Sequence, residues 1–435
     1  MSQCVADSLR DTPIGTVASA WEMGVIGDFV SALQAGVSVN AFETDSGCAE
    51  GELGVLKSSA VLRGRFYANQ HKVVVAEDAG RVATSVVADR IIISRMNTPA
   101  LVGESGYVTK DEPNLFLPDR LWQTEPSERP HSQRWLSYWL QHPGVRRLIA
   151  AGATGTSNSM KNISKETVLS LPVPLTPLSE QQKIAAILTA VDDKLDVIAR
   201  QIETTQTLKQ GLMQTLFSRG GGTQDTADWL TVPLQEVAEV RTGVAKGKKG
   251  LKEPAELPYL RVANVQDGHI DLTEVKTIAV EVGQVERYAL RPGDVLMTEG
   301  GDFDKLGRGD VWEGQISPCL HQNHVFAVRP APSKLNSYYL AALAASDYGR
   351  QYFLSCAKRT TNLASINSSQ LKAFPVLLPP LDEQVRIADI VAAANARIET
   401  LSTKKAHYQT LKRGLMQKLL TGEWRGKLDS PSGTA

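Results

Sequence analysis

The sequence predicts an α+β protein in which two mixed α/β globular domains are separated by two long α-helices that pair as an intramolecular coiled coil. Three observations lead to this fold class. A stretch in the middle of the 435-residue chain recurs near its end, each copy carries a long helical period of apolar residues, and the segment before each copy shows short β-type runs. Spacing alone does not fix the helix direction, but an antiparallel pair is expected, because it gives the duplicated halves pseudo-two-fold internal symmetry.

The repeat covers residues 171–217 and 374–420 without an insertion or a deletion, at an offset of about 203 residues. Roughly 20 of about 47 positions are identical, whereas unrelated sequences of average composition would match at about 3. The best-preserved part is the last third of each copy, where Gln206-Thr-Leu-Lys209 and Gly211-Leu-Met-Gln214 return as Gln409-Thr-Leu-Lys412 and Gly414-Leu-Met-Gln417. The chain therefore contains an internal duplication.

Each copy is predicted to form one long helix. A proline-rich segment that no helix can cross comes first, and Ser179 and Asp382 then provide the expected N-caps. Apolar residues follow at alternating steps of four and three, which is the pattern of a coiled-coil seam. The predicted seam residues are Ile184, Leu188, Val191, Leu195, Ile198 and Ile202 in one copy and Ile387, Val391, Ala394, Ile398 and Leu401 in the other. After a phase slip, the seam is expected to continue at Leu208, Leu212 and Leu216 and at Leu411, Leu415 and Leu419.

The repeat divides the chain into alternating globular and helical parts. These are residues 1–170 (first globular domain), 171–220 (central repeat with its helix), 221–373 (second globular domain), 374–425 (C-terminal repeat with its helix) and 426–435 (flexible tail). The predicted strands cover residues 73–76, 86–94, 295–298 and 323–328. Residues 88–93 resemble 293–298, so the two globular domains are expected to be diverged relatives.

Composition and charge exclude several classes of protein. The formal net charge is +0 at pH 7, so any contact with nucleic acid must come from local basic clusters rather than from bulk positive charge. No apolar run approaches the ~18 to 20 residues of a membrane span, and no secretory leader is evident, which indicates a cytoplasmic protein. The four cysteines are scattered without C-x-x-C spacing, so neither a disulfide framework nor a zinc site is predicted.

Catalytic motifs are missing from the sequence. We find no Asx-Pro-Pro-aromatic methylation motif, no G-x-G-x-x-G between a strand and a helix, and no phosphate-binding loop. The histidines show no metal-ligand spacing, and the carboxylate pair Asp192-Asp193 is expected on a helix surface. The chain is therefore predicted to be non-catalytic by itself and to bind neither a metal nor a cofactor.

Two motifs of the repeat carry a resemblance to a known family. The Pro-Leu-x-Glu-Gln start of each helix, its Leu-Lys-x-Gly-Leu-Met-Gln-x-Leu end, and the order globule, helix, globule, helix resemble the specificity subunit of type I restriction-modification systems. The resemblance implies that each globular part is a target recognition domain that binds one half of a bipartite, asymmetric site in double-stranded DNA, and that the paired helices set the spacing between the half-sites.

The resemblance also implies partners and their cofactors. In this family the helices dock two adenine methyltransferase (modification) subunits, and restriction/translocase subunits join that core. The partner subunits would use S-adenosylmethionine, ATP and magnesium. A different hypothesis is a coiled-coil scaffold whose globular ends bind proteins instead of DNA, but the Lys, Arg, Asn and Gln residues of the glycine-rich loops favour DNA.

DNA-contact residues are predicted from their chemistry. Lysines among glycines suit phosphates, and Asn, Gln and Arg suit base edges, although a solvated loop or a turn that bonds its own backbone would show the same residues. In the second domain the candidates are Lys246, Lys248, Lys249, Asn264, Gln266, Lys305, Arg308, Gln322 and Asn323. In the first domain they are Lys57, Arg63, Arg65, Arg95 and Asn97.

Partner-binding residues are predicted on the conserved helices. A mid-helix glycine costs roughly 1 kcal/mol relative to alanine, yet both copies keep it, which close approach of another helix would explain; inheritance from the duplication is the alternative. The predicted partner-binding residues are Gln181, Ile184, Leu212, Met213, Gln384, Ile387, Leu415 and Met416.

Overall fold

The computed structural model describes residues 8–44, 47–49, 51–155, 160–217, 229–246, 250–301, 306–359 and 364–425. These residues form two compact units. Unit 1 combines the described residues up to Val197 with those from Lys405 onward, and unit 2 runs from Ile198 to Lys404. The predicted long helices are each divided between the units, so every unit contains the N-terminal half of one helix and the C-terminal half of the other.

The helices occupy the positions that the repeat predicts, with shorter helices inside each globular part. They are α1 Gln133–Leu140, α2 Pro143–Gly152, α3 Lys165–Leu169, α4 Leu178–Phe217, α5 Val285–Tyr288, α6 Ser337–Ala345, α7 Asp347–Cys356, α8 Ser368–Lys372 and α9 Leu381–Leu420. At 40 residues each, α4 and α9 are about 60 Å long. Both begin one residue before the predicted N-caps, so Ser179 and Asp382 lie in the first turn.

Unit 1 is built on two β-sheets and several short strand pairs. Its strands are β1 Leu9–Thr12, β2 Gly15–Ala18, β3 Met23–Val25, β4 Val30–Ala35, β5 Ala41–Phe42, β6 Gly54–Leu56, β7 Val61–Leu62, β8 Gly64–Phe66, β9 His71–Val74, β10 Ser85–Val86, β11 Ile91–Ser94, β12 Met96–Asn97, β13 Ser105–Tyr107, β14 Glu112–Phe116, β15 Leu121–Pro126, β16 Lys161–Asn162 and β17 Pro172–Pro174. One sheet has the order β4-β15-β11-β13-β8-β7, and the other has the order β10-β14-β6-β9-β5.

Unit 2 repeats the first of these sheets in reduced form. Its strands are β18 Leu230–Pro233, β19 Ala238–Thr242, β20 Pro254–Leu260, β21 Val265–Gln266, β22 His269–Ile270, β23 Lys276–Glu281, β24 Val295–Thr298, β25 Gly300–Gly301, β26 Gly309–Val311, β27 Leu320–His321, β28 Val325–Pro330, β29 Lys358–Arg359, β30 Ala364–Ser365 and β31 Pro375–Leu378. The order β19-β28-β24-β26 matches β4-β15-β11-β13 of unit 1. The predicted fold class and the kinship of the two globular parts are therefore confirmed.

Residues 86–94 were predicted to form one strand, and this prediction is wrong. The chain forms β10 and β11 there, and Asp89 between them has φ 52°, a left-handed conformation that no strand can contain. Among the described residues no helix is long and apolar enough to span a membrane. Cys48, Cys319 and Cys356 are free thiols, of which Cys319 is buried.

The two long helices pair antiparallel within unit 1. Asp192 Oδ1 lies 2.7 Å from Lys412 Nζ, and Glu180 Oε1 lies 2.9 Å from Arg425, so earlier residues of α4 meet later residues of the α9 segment. Apolar side chains of both helices, among them Leu188 and Leu419, join one core with unit 1's sheet residues. Unit 2 has the reciprocal arrangement, in which residues from the end of α4 and the start of α9 share a core.

The helical seam follows the prediction up to the phase slip and in part beyond it, where Leu419 is buried and Leu212, Leu216 and Leu415 are half-buried. Predicted seam residues such as Ile184, Leu188 and Ile387 are buried. Leu208 and Leu411 are instead 60% and 48% exposed, so their predicted place in the seam is wrong. The phase slip is one residue larger than the sequence predicts. The side chains of Lys209 and Lys412, which directly follow these leucines, are half-buried and turn inward, so both leucines face solvent.

Two buried histidines should make the protein sensitive to mild acid. Burial lowers the pKa of His142 and the pKa of His321 to about 4. Because the unfolded chain binds these protons near pH 6.5, stability is complete above that pH and is lost as the pH falls towards 4. We expect the free energy of unfolding to drop by about 2 kcal/mol per histidine between about pH 7 and pH 5.

A matched variant tests this expectation in denaturant titrations at both pH values. His142 is the N-cap of α2 and accepts a hydrogen bond from the Gly144 N–H, a role that asparagine can fill. His142→Asn should therefore remove about half of the pH dependence. A variant as acid-sensitive as the wild type would contradict the assignment.

Candidate nucleic-acid interface and partner surfaces

Three loops of unit 2 meet at one end of its four-stranded sheet. Thr242, the last residue of β19, pairs with Phe326, and Thr298, the last residue of β24, pairs with Val325 at the start of β28. Gly309 at the start of β26 pairs with Met297. The register therefore brings together the loop after β19, the loop between β24 and β26, and the turn before β28.

This end of the sheet gathers most of the second domain's predicted DNA-contact residues. Lys246 is exposed, and Arg308, Gln322 and Asn323 are half-buried. We call these four residues the unit 2 sheet end. Three further candidates, Lys248, Lys249 and Lys305, belong to the same loops by sequence but lie outside the described residues.

Backbone hydrogen bonds hold the basic loop beside the Gln322-Asn323 turn. Val244 N–H donates to the His321 carbonyl at 2.8 Å, and Asn323 N–H donates to the Val244 carbonyl at 3.0 Å. Gly243 makes this approach possible, because a Cβ there would lie 2.0 Å from the His321 oxygen. Gly36 of unit 1 has the same role, with the Leu117 oxygen 1.5 Å from its would-be Cβ. Both units therefore fix this loop by the same close contact.

The corresponding sheet end of unit 1 carries a second cluster of polar residues. Ser94 at the end of β11 pairs with Leu121 at the start of β15. The predicted candidates Arg95 and Asn97 follow Ser94 directly, and Arg95 N–H donates to the carbonyl of exposed Arg120 at 2.9 Å. Arg95, Asn97 and Arg120 form the unit 1 sheet end.

Sequence reasoning missed several cations near these ends. Arg120 precedes β15 as His324 precedes β28, so aligning the two halves on their strands would have found it. Lys161 lies on β16, which pairs with β12, and exposed Lys358 lies on β29 in the sheet that contains β25. No periodic pattern marks these last two lysines, because each belongs to a two-residue strand.

Asn264 has a structural role, which corrects its prediction as a base-reading residue. Its side chain is 3% exposed, its Oδ1 accepts from Arg261 N–H at 2.9 Å, and its Nδ2 donates to the carbonyls of Asp271 and Glu274. A side chain with these bonds already made has no amide to offer to a base edge. Gln266 is half-buried, and its side-chain amide donates to the Ala263 carbonyl at 2.6 Å.

The remaining candidates of unit 1 differ in availability. Lys57 forms an ion pair with Glu43 at 3.5 Å, and Arg63 is exposed in a left-handed turn with φ 51°. Neither lies on the loops of the sheet end. Arg65 pairs with Asp192 and Asp196 of α4, so its prediction as a DNA contact is corrected: the guanidinium attaches the globular part to the helix.

Arg308 occupies a position that is structural in the other unit. Gly103 and Gly307 mark equivalent turns, with φ 70° and 65°. After Gly103 comes Glu104, which is buried and pairs with Arg146 at 3.3 Å. After Gly307 comes Arg308, whose buried Nε has no hydrogen-bond partner among the described residues. Within the described residues the two positions therefore differ, because Glu104 pairs with a cation and the Arg308 Nε has no partner.

Gln181 and Gln384 attach each globular part to its helix in the same way. Gln181 Oε1 accepts from the backbone N–H of Ser132, the N-cap of α1, at 2.8 Å. Gln384 Oε1 accepts from the backbone N–H of Asn336, the N-cap of α6, also at 2.8 Å. Both amides also donate to backbone carbonyls of the proline-rich segment just before the helix. Both copies of the repeat therefore contain a glutamine that joins the globular part to its helix by hydrogen bonds.

Several predicted partner-binding residues are therefore reassigned. Five of them are buried inside the chain, where a partner cannot reach them, and the other three are half-buried. The buried ones are Gln181, Ile184, Met213, Gln384 and Ile387. The half-buried ones are Leu212, Leu415 and Met416, of which Leu415 and Met416 pack against the unit 1 core.

A buried charge network replaces the predicted surface carboxylate at Asp192. Asp192 is 6% exposed, bonds the Tyr138 hydroxyl at 2.8 Å, and lies within 4 Å of three cations, Arg65, Arg134 and Lys412. Burial alone would raise the pKa of Asp192, but Lys412 and the hydrogen bonds outweigh it and hold the pKa below its ordinary value. The equivalent position of α9 is Asn395, so only unit 1 carries this carboxylate.

The solvent-facing side of each helix repeats the same residues. Thr207, Leu208, Gly211 and Gln214 of α4 are exposed, as are their counterparts Thr410, Leu411, Gly414 and Gln417 of α9. These two sets are called the α4 stripe and the α9 stripe. A Cβ on either glycine would meet nothing within 4 Å. Burial within the chain therefore does not explain why these residues are identical in both copies.

Comparison with known protein families gives the class to which this duplicated chain belongs. The family described as the type I restriction modification DNA specificity domain matches residues 19–206 and again residues 226–407. The chain belongs to this family and contains two copies of its domain.

Individual relatives support the same conclusion. A protein of Methanocaldococcus jannaschii, assigned as the type I restriction enzyme MjaX specificity subunit, is 31% identical over 196 residues, which are 45% of this chain and 46% of that protein. The type I restriction enzyme EcoKI specificity subunit of Escherichia coli strain K12 is 24% identical over 303 residues, which are 64% of this chain and 61% of that protein. The chain thus spans about half of the length of the first relative and about three fifths of the length of the second.

Solved structures show the same fold. A type I restriction-modification S subunit from M. genitalium superposes with a TM-score of 0.56 at 14% identity, over 92% of this chain and 96% of that one. A chain from a structure on complex assembly and conformational transition of the type I R-M system superposes with a TM-score of 0.55 at 18% identity, over 94% of this chain and 99% of the other.

Proposed function

We propose that this chain is the DNA specificity subunit of a type I restriction-modification complex. Each recognition domain reads one half of a bipartite, asymmetric site, and the paired helices set the gap between the halves. The chain is non-catalytic and directs adenine methylation and ATP-dependent restriction by partner subunits, which bring S-adenosylmethionine, ATP and magnesium. The observation that carries this proposal is the gathering of polar and cationic loop residues at the same sheet end in both units of a duplicated specificity-family chain.

The chemistry of the sheet ends suits DNA. Lys246 and Arg120 are exposed cations on loops, which suits contacts with phosphates that give affinity without sequence information. Gln322 and Asn323 carry amides of the kind that pairs with adenine N6 and N7 in the major groove. Loops fixed by backbone bonds, as at Gly243, would present these amides without a large ordering cost.

Lys246 provides a first test of the interface. Lys246→Ala should weaken DNA binding about equally for all sequences and lower the slope of log K against log salt concentration by about 1, because one phosphate contact is lost. Lys276→Ala is the matched control, since this lysine is exposed on β23 of the other sheet and pairs with Glu274. Fluorescence anisotropy at several salt concentrations measures both slopes. Equal slopes for the two variants would contradict the interface.

The α4 and α9 stripes support docking of one partner twice. A single partner that binds the same side chains in two places would explain why exposed residues stayed identical while the globular domains drifted apart. An exposed mid-helix glycine with open space above it admits the backbone of a partner helix to close range. We place one methyltransferase subunit on each stripe.

Leucine at the two glycines tests the docking. Gly211→Leu and Gly414→Leu meet no atom of the chain within 4 Å at Cβ and improve helix propensity, so the fold should be unaffected. Each single variant should bind one copy of the cognate methyltransferase subunit instead of two by native mass spectrometry, and the double variant should bind none.

The controls separate docking from other effects. Ala186→Leu, at an exposed position in the first half of α4, should keep two copies. The chain alone should show no methylation with S-adenosylmethionine and DNA, and activity should appear on addition of the partner. Two bound copies in the double glycine variant would disprove the stripes as docking sites, and turnover by the chain alone would disprove the non-catalytic role.

A further inference from the structure

The two stripes have identical centres and different flanks. Beside the α9 stripe lie exposed Arg413 and partly exposed Lys418. The equivalent residues beside the α4 stripe are Gln210 and Thr215, both exposed and neutral. The two stripes thus have the same central residues, but two positively charged side chains lie beside the α9 stripe only.

The positive charge around the α9 stripe is only partly balanced among the described residues. The sequence has no Asp or Glu between Glu399 and Glu423, whereas the other helix carries Glu203 close to its stripe. Lys412 is neutralised by Asp192, and Lys418 reaches Glu423 at 3.3 Å. Arg413 bonds only the Thr410 hydroxyl at 3.2 Å and forms no ion pair among the described residues.

Stabilisation of the helix itself does not account for Arg413. Cations favour the C-terminal end of a helix because of the helix dipole, but the effect falls off within the last turn. Lys418 lies in that turn of α9, whereas Arg413 lies two turns from the end. The position of Arg413 at the edge of the α9 stripe instead fits a role in binding the partner.

We propose that the two docking stripes are unequal, and that the α9 stripe takes an acidic rim of the partner subunit and fills first at low salt. This inference rests on the proposed docking of one partner at both stripes. Exposed ion pairs are individually weak, so two of them give about 2- to 30-fold tighter binding at the α9 stripe. Salt screens such exposed pairs, so the difference shrinks as the ionic strength rises.

Each single glycine variant isolates one stripe for the measurement. Gly211→Leu leaves the α9 stripe, and Gly414→Leu leaves the α4 stripe. The dissociation constant of the cognate methyltransferase subunit is measured for each at about 0.05 M and 0.5 M salt, where the screening length changes from roughly 14 to 4 Å. The α9 stripe should bind about 2- to 30-fold tighter at low salt and within about 2-fold at high salt.

Variants that remove charge then test whether Arg413 and Lys418 cause the difference in affinity between the two stripes. In the Gly211→Leu background, Arg413→Gln with Lys418→Thr should bring the α9 stripe to the affinity of the α4 stripe. Arg413→Gln alone, which leaves the Lys418 contacts intact, should lose part of the excess. Lys194→Gln, which removes an exposed charge from the first half of α4, is the control and should leave the affinity unchanged.

The outcomes distinguish this inference from the proposed function. Equal affinities with equal salt dependence would overturn the inference and leave the docking intact. Absence of partner binding to the wild-type chain would overturn the docking itself. If Arg413→Gln with Lys418→Thr weakened DNA binding and left partner binding unchanged, the cations would belong to a DNA contact, and the inference would be wrong.

Discussion

Replacing Asp192 with alanine is expected to lower the free energy of unfolding by about 3 to 5 kcal/mol, because three cations within 4 Å lose the carboxylate that compensates their burial. Lys412, whose side chain is 19% exposed, would lose its only ion-pair partner among the described residues. Arg65 and Arg134 would keep other contacts, but each would move to solvent or remain partly unpaired. Chemical denaturation followed by circular dichroism measures the change.

Asp193 is the matched control. It is the next residue of α4 and is exposed, so Asp193→Ala should change the free energy of unfolding by less than about 0.5 kcal/mol. The stabilisation from Asp192 should also depend on pH. Because its folded pKa lies below the ordinary value of 3.8, this stability is complete above about pH 4 and is lost as the pH falls further. An Asp192→Ala variant as stable as Asp193→Ala would show that the network does not hold unit 1 together.

Lengthening both long helices by one turn is expected to lengthen the gap between the two methylated half-sites by one or two base pairs. Four inserted residues after Val197 of α4 and four after Lys404 of α9 add about 6 Å, and one base pair of B-DNA rises about 3.4 Å. The same insertion turns each helix by about 40°, close to the twist of one base pair. The methylated motif of a strain that carries the variant gives the gap directly.

An insertion in only one helix is the control for this experiment. It would put the two helices out of register over half their length, so methylation should be lost instead of shifted. A double insertion with normal methylation and an unchanged gap would disprove the role of the helices as the spacer.

The two long helices were predictable because the same helical pattern of apolar residues occurs in both copies of the repeat. Their length, their starts within one residue, and the early seam through Leu188 and Ile387 follow from period and proline content alone. The exposure of Leu208 and Leu411 was not predictable, because Lys209 and Lys412 have long apolar stems that can lie inward and displace the neighbouring leucines. Only the structure shows that Lys412 meets a buried carboxylate there.

The candidate interface was predictable in composition but not in arrangement. The sequence identified Lys246, Gln322 and Asn323 from their chemistry, but strand register was needed to bring their loops together. Asn264 shows the opposite case, in which an amide suited to adenine is used up by the backbone of its own turn. Sequence alone cannot separate these two uses, because both favour asparagine beside glycine and aspartate.

The central claim is that the unit 2 sheet end reads one half of a bipartite DNA site. The most direct test is methylome sequencing of the host with the wild-type chain and with Gln322→Ala and Asn323→Ala combined. The wild type should give a split adenine-methylated motif. The variant should relax or change one half, while the other half and the gap stay the same. Loss of specificity in both halves together, or an unchanged motif, would contradict the claim.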